Sequence, residues 1–306
     1  AFVLIYGVKI LNPLYTDWLL TGGDPSQHYL GWVFYRRSGW HLPYLGANYS
    51  AIYPYRTSIL YTDSIPLLAV VCKLLGGVLP ARFQYLGLWG LFCYAMQGGL
   101  AQAAMEQVLE EAEYRPGAHI SNEKYAESGL GLPKADNMGS SGLVCGKYHG
   151  RPLEISNLEL SNTLAYQNPE TEVWEDRELP IFKGQWMAAD LGRSISCNVQ
   201  VAPKGKLARL LGRDSFNSEN PEFDRRFSIQ YDNPAAVQSV LSPRVMDQLL
   251  KMGSVYLSVK ADGRVFAAIQ TVDLLFGAGK GRADSLTQRF VGQLRVFTDL
   301  LDALKG

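Results

Sequence analysis

Residues 255–270 read VYLSVKADGRVFAAIQ, with apolar and polar side chains alternating on both sides of Asp262-Gly263. Period-two alternation marks a strand with one buried face, and Asp-Gly is a preferred pair for the tight turn between two antiparallel strands. The stretch predicts a hairpin, Val255–Lys260 with Arg264–Gln270, whose inner face is Val255, Leu257, Val259, Val265 and Ile269. Upstream, Leu143–Tyr148 and Arg151–Leu158 flank His149-Gly150 as a second hairpin. Gly184–Asp190 and Ser194–Val201 flank Leu191-Gly192-Arg193 as a third, with Ile195, Cys197, Val199 and Val201 alternating.

Helices fall between these strands. Asn220 precedes Pro221–Phe227, and Ser242 precedes Pro243–Met252, which Gly253 ends; in both, proline stands where its missing N–H costs nothing. Ser285–Leu304 repeats Leu286, Phe290, Leu294, Phe297, Leu301 and Leu304 at helical spacing, so one face is core. Ser121 caps a short helix that stops near Gly129, and the acidic run Glu106–Glu113 reads as helix before Arg115-Pro116-Gly117 breaks it. Hairpins interspersed with helices, without strand–helix–strand alternation, predict an α+β domain on an antiparallel sheet over residues 120–306.

The first 105 residues have another character. They hold six basic against three acidic residues, about +3, so the remainder carries about −3, because the whole chain has 29 of each sign. That even balance argues against a nucleic-acid partner. Trp18, Trp32, Trp40 and Trp89, four of the six tryptophans, lie here, as amphipathic rings do at a membrane surface. Phe83–Met105 contains no charge over roughly 23 residues, long enough to span a hydrocarbon core, and Gly87, Gly90, Gly98 and Gly99 suit close helix packing in lipid. Ala1–Leu11 is apolar but for Lys9 and too short to cross, so it reads as a partial span; it lacks the basic start and cleavage site of a signal peptide. Ile65–Leu79, led by Asp63-Ser64 as a cap, covers about 22 Å against a core of about 30 Å. It reads as an interfacial helix with Lys73 snorkelling, a third span being the alternative. The expected architecture is an α-helical membrane region over 1–105 (partial span 1–11, external loop and interfacial helix 12–82, span 83–105), a linker over 106–119 and the soluble α+β domain over 120–306.

Chemistry concentrates in Gly22–Trp32, GGDPSQHYLGW. Asp24-Pro25-Ser26-Gln27 fits a helix start with Asp24 as its cap. Asp24 and His28, four apart, share one helix end and are the candidate catalytic pair, open to proton transfer or metal binding; the bland alternative is a cap and a solvated ring. Elsewhere signals are weak. His119 and His149 are isolated, and Cys72, Cys93, Cys145 and Cys197 show no CxxC spacing and read as buried free thiols. Gly277–Arg282 fails as a phosphate loop because no Ser or Thr follows Lys280, so it reads as a mobile basic turn, and Asp224-Arg225-Arg226 reads as a solvated helix face rather than an anion site.

Three stretches, GGDPSQHYLGWVFYRRSGW (22–40), SILYTDSIPLLAVVCKLLG (58–76) and FQYLGLWGLFCYAMQGG (83–99), resemble the N-terminal region of a bacterial polytopic membrane family related to C-type glycosyltransferases, over about residues 1–102. The resemblance implies a lipid-phosphate-linked sugar as donor and makes Asp24 the catalytic acidic residue, either a base on the acceptor hydroxyl or a ligand of a divalent metal; no other cofactor is expected. Two spans are fewer than such transferases carry. SGLVCGKYHGRPLEIS (141–156), FKGQWMAADL (182–191), residues 220–252 and VYLSVKADGRVFAAI (255–269) resemble a second bacterial family, of unknown function, with two membrane helices and a cytosolic domain. Two unlike halves meeting at residues 102–106 suggest a fusion.

The leading expectation is a protein anchored in the bacterial inner membrane, with the lipid bilayer as one partner and a cytoplasmic domain, 120–306, that binds or scaffolds a protein partner. The rival is a glycosyltransferase fragment acting at Asp24, and whether the chain is an enzyme stays open.

Overall fold

The computed structural model describes residues 2–51, 54–55, 57–167, 173–205, 218–277 and 282–305. The chain divides into two compact units, residues 1–97 and 98–306.

In the first unit the opening apolar run is not one helix. Gly7, at φ 78°, breaks it into α1 (Phe2–Tyr6) and a 3-10 turn, Val8–Leu11. Helix α2 (Gly23–Arg37) is capped by Gly22 rather than Asp24, which stands in its first turn; the Gly22 N–H donates to Ser26 Oγ at 2.8 Å. The buried face of α2 supplies Trp32 and Tyr35 to a core with Leu19, Ile59, Ala69 and Tyr85. Trp32 donates its indole N–H to the Phe83 carbonyl at 2.9 Å, and the Tyr85 ring meets it edge-on at 5.3 Å. Gly31 lets α2 lie against the following segment, because a β-carbon there would come within 2.1 Å of Thr62 Oγ1. A two-residue ladder joins β1 (Ala47–Asn48) to β2 (Thr57–Ser58).

The expected interfacial helix is α3 (Pro66–Leu74), shorter than read and without a side-chain cap, since Ser64 Oγ donates instead to the His28 carbonyl at 2.6 Å. Lys73 does not snorkel. It is 7% exposed, donates to the Gly39 carbonyl at 3.1 Å and lies 4.0 Å from the Tyr35 ring centre and 4.7 Å from that of Trp40. The aromatic faces and one carbonyl replace the water its ammonium would otherwise hold. The Arg36 guanidinium donates to the carbonyls of Gly76, Leu79 and Pro80 and so pins the segment that follows α3.

The expected spans are overturned: among the described residues no helix is long and apolar enough to cross a membrane. Helix α4 (Leu86–Met105) has the length, but Gln97, Gln102 and its glycines dilute its apolar character. Its last turns have another use, because Ala101, Ala104 and Met105 are fully buried in the core of residues 98–306.

That second unit is an eight-stranded antiparallel sheet in the order β3-β4-β5-β6-β10-β9-β7-β8. The strands are β3 (Glu110–Arg115), β4 (Asn137–Tyr148), β5 (Arg151–Gln167), β6 (Trp174–Asp190), β7 (Val199–Pro203), β8 (Phe227–Tyr231), β9 (Val255–Val259) and β10 (Arg264–Gln270). The helices are α5 (Asn122–Ser128), α6 (Pro221–Arg226), α7 (Val237–Val240), α8 (Pro243–Met252) and α9 (Ala283–Lys305). Their starts follow the sequence signals: Ser121, Asn220 and Ser242 each accept a backbone N–H three residues on. The α+β class stands, with helices interspersed among antiparallel strands.

Period two divides the sheet into two buried faces. Val255, Leu257, Val259, Val265 and Ile269 pack in one core with Leu249 of α8 and Leu294 and Phe297 of α9. On the other face Trp186, Phe266 and Ala268 join Leu158, Leu160 and Phe182, with Ile120 and Leu130 from the segment around α5.

Two expectations fail here. Gly184–Asp190 and Val199–Val201 do not form a hairpin: β10 and β9 lie between them, and the connection passes the β9–β10 turn, where Leu191 N–H donates to Gly263 O at 3.0 Å and Ile195 N–H to Ala261 O at 2.8 Å. Of the acidic helix expected over 106–113, residues 106–108 form a turn and Glu110–Glu113 belong to edge strand β3, whose pairing with β4 outweighs the helix preference of its glutamates.

Candidate functional site

The residues singled out in sequence sit on α2. Asp24 is exposed in its first turn. His28 is half-buried and its ring Nδ1 lies 2.9 Å from the Thr62 carbonyl, while Gln27 Nε2 donates to the Tyr61 carbonyl at 3.2 Å. One helical turn thus fastens α2 to residues 61–62, and no hydrogen bond joins Asp24 to His28. Among the described residues, no group of three or more His, Cys, Asp or Glu could hold a metal ion.

The remaining motifs are held in local structure. His119 Nδ1 contacts the Ile120 carbonyl at 2.7 Å, and His149, at the β4–β5 turn, places Nε2 3.5 Å from Asp302. Tyr148 donates to the other oxygen of Asp302 at 2.8 Å; burial first, then that carboxylate, pushes its hydroxyl pKa up to about 12. Asp224 accepts from Ser218 N, and Arg226 pairs with Glu222 at 2.8 Å, so that cluster ties its own helix. Cys197 is buried as expected, but Cys72 and Cys145 are half-buried and Cys93 is exposed; burial raises the pKa of Cys72, Cys145 and Cys197 and holds them as thiols. Most of the glycine-rich turn, residues 278–281, lies outside the described residues.

What sequence reading left unassigned is the most exposed architecture of the second unit. Strands β5 and β6 run 17 residues each, longer than their neighbours. Strand β4 pairs with β5 only as far as Asn137↔Ser161, and β10 with β6 only as far as Gly184↔Gln270. Gly184 marks the parting, since a β-carbon there would stand 1.9 Å from the Ile269 carbonyl. Beyond it β5 and β6 continue as a two-stranded ribbon, paired from Ser161↔Pro180 to Gln167↔Trp174, which at about 3.3 Å per residue reaches roughly 20 Å past the sheet.

Residues directly opposite share a face. One face therefore carries Leu164, Tyr166 and Leu179 with Glu175 and Arg177; the other carries Trp174, Asp176 and Glu178 opposite Gln167, Ala165 and Thr163. Among the described residues, the exposed large apolar side chains of 98–306 are Leu164, Tyr166, Val173, Trp174, Leu179 and Val272, five of them within residues 164–179. At the ribbon's root a hollow of about 520 Å³ is lined by Asn137, Glu159, Ser161, Glu178, Pro180 and Lys183 among others. Glu159 and Lys183 are ion-paired across the strands, and Ser161 Oγ reaches Glu178 at 3.5 Å. The root is closed on its β5 side by side chains: Thr163 N–H donates to Asp136 and Asp136 N–H to Asn162, each at 3.1 Å. On the β6 side the register slips between Leu160 and Ser161, and Pro180 offers no N–H.

The arrangement suits contact with a macromolecule more than chemistry on a small one. A signal for it existed in the alternation of Asn162–Gln167 and the aromatic and acidic Val173–Leu179, but no turn pair like Asp262-Gly263 advertised the hairpin.

A family model described as a domain of unknown function, DUF6311, matches residues 1–117, and one described as a protein of unknown function, DUF3137, matches residues 180–305. Each covers less than half of the chain, and both leave the activity open. The expected kinship with glycosyltransferases is corrected by these findings, because the model matching 1–117 carries no such description and nothing else found supports it. No curated protein matches. Among solved structures, the crystal structure of the mycobacterial trehalose monomycolate transport factor A, TtfA, is similar at a TM-score of 0.35 and 10% identity, over 68% of this chain and 96% of that one. That likeness is too slight to argue from.

Proposed function

We propose that residues 98–306 form a partner-binding module whose contact element is the β5–β6 ribbon. The observation that carries this reading is the confinement of exposed Leu164, Tyr166, Val173, Trp174 and Leu179 to one projection of a unit whose other large apolar residues, Val272 apart, are buried or half-buried among the described residues. Tyrosine and tryptophan offer much contact area for little side-chain entropy, and they dominate the energetics of protein interfaces. A ribbon anchored in a sheet buried on both faces also presents them with little backbone freedom left to lose on binding.

Site-specific photo-crosslinking in the producing cell tests the reading. A photoreactive phenylalanine analogue replacing Tyr166 yields a discrete protein adduct, whereas the same analogue replacing Lys251, exposed on α8, yields none. Equal labelling from both positions, or none from either, overturns it.

A further inference from the structure

Building on that reading, we infer that the ribbon's occupant is a basic segment of a partner protein, one in which lysine or arginine recurs at every second position. The charge of the ribbon selects it. From Glu159 to Lys183 the sequence holds Glu159, Glu170, Glu172, Glu175, Asp176 and Glu178 against Arg177 and Lys183. Of the two cations, Lys183 is engaged by Glu159, and Arg177 lies 6.0 Å from the ring centre of Tyr166. On the face with Trp174, Asp176 meets no cation among the described residues, and Glu178 has only the 3.5 Å contact from Ser161.

Exposed Trp174 completes that face. An indole is the best ring for a cation, and Arg177 over Tyr166 shows a guanidinium already lying on an aromatic of the same ribbon. A segment lying along the row Trp174, Asp176, Glu178 would set one cation on the indole and the next between the carboxylates, then reach the hollow at the root, whose rim Glu178 forms. Leu164, Tyr166 and Leu179 lie on the ribbon's other face, so the cations carry the contact along this row. Alternative occupants meet the wrong sign: a nucleic acid or an anionic lipid surface brings negative charge to a negative ribbon, and a second copy facing ribbon to ribbon does the same.

The test uses the full chain and fluorescence anisotropy with a labelled peptide that alternates arginine and leucine. Saturable binding is expected, weakened roughly fivefold or more by Asp176→Asn with Glu178→Gln, by Trp174→Ala, and by salt raised to about 0.5 M. Glu222→Gln, on α6, leaves the affinity unchanged, and a peptide with glutamate in place of arginine does not bind. These side chains are exposed, so circular dichroism of each variant should match the parent. The inference is overturned if the arginine peptide fails to bind, if the doubly neutralised variant binds it equally, or if sedimentation shows a dimer that Trp174→Ala dissolves, which would make a second copy the occupant. A crosslink from position 166 alongside any of these results leaves the partner-binding reading standing and removes only the basic partner.

Discussion

Residues 1–97 and residues 98–306 each bury large aromatics, yet they dispose of their remaining apolar surface in opposite ways. In the first unit exposed apolar side chains occur on nearly every element, from Leu4 on α1, 90% exposed, to Leu67, Val71 and Leu74 on α3 and Phe92 on α4. In the second, among the described residues, all but Val272 gather on one ribbon. The difference teaches that hydropathy averaged along a chain reports how many apolar side chains a segment has, not where they point. The first unit is apolar at both its core and its surface, so its segments read as membrane spans. The second sorts its residues by face, and period two and period 3.6 disclose which is which.

If both cores are close-packed, truncating either must cost alike. Phe297→Ala is expected to lower the unfolding free energy of the second unit by about 3–5 kcal/mol, and Trp32→Ala that of the first by a similar amount, measured by denaturant titration. A loss under about 1 kcal/mol for Trp32→Ala would mean that the first unit has no packed core, and the comparison would break. Next in size, Gly31→Val forces a side chain against Thr62 and should cost about 1–3 kcal/mol.

The aromatic core of the first unit also predicts its response to alkali. Burial raises the pKa of Tyr29, Tyr35 and Tyr85 above the ordinary 10.0. Above that pH the unfolded chain releases protons that the folded unit retains, so stability falls as pH rises past 10. Lys73 acts in the opposite sense, because burial lowers its pKa below 10.5 and folding gains as its ammonium discharges. Tyrosinate absorbance should therefore appear for these three tyrosines together with unfolding; a gradual, non-cooperative titration would contradict their burial.

Lys73→Met, which replaces a desolvated cation with a side chain of similar reach, should change stability by no more than about 1 kcal/mol in either direction. Smallest of all, Trp174→Ser should shift stability by less than about 0.5 kcal/mol, since the ring is 67% exposed. A larger loss would show that the ribbon's apolar side chains support the fold.

Much of the second unit was legible because its signals are local. Asp262-Gly263 fixed one hairpin, His149-Gly150 another, and Ser242 with Gly253 bounded a helix. The misread pair, Gly184–Asp190 with Ser194–Val201, fails for a non-local reason: alternation identifies strands but not neighbours, and two strands from some 65 residues downstream occupy the space between. Glu106–Glu113 reads as helix on propensity, but propensity is a weak prior beside the pairing that makes Glu110–Arg115 a strand. Of the candidate site, Asp24 and His28 were found from type and spacing, and the structure places both on α2 with His28 turned to the Thr62 carbonyl. The alternation of Asn162–Gln167 hints at a strand, but that the strand projects as a ribbon lies in what fails to pair with it, and no residue of a strand records that its neighbour has ended.

The root of that ribbon bears on how an exposed strand pair is kept from adding further strands. At the root Thr163 N–H is taken by the Asp136 side chain and Asp136 N–H by that of Asn162 on one rim, while a register slip and Pro180 interrupt the other, so neither rim carries an unbroken row of donors and acceptors from the sheet into the ribbon. Strand addition is discouraged at the root, and beyond it Trp174, Tyr166 and Leu164 stand out as exposed side chains.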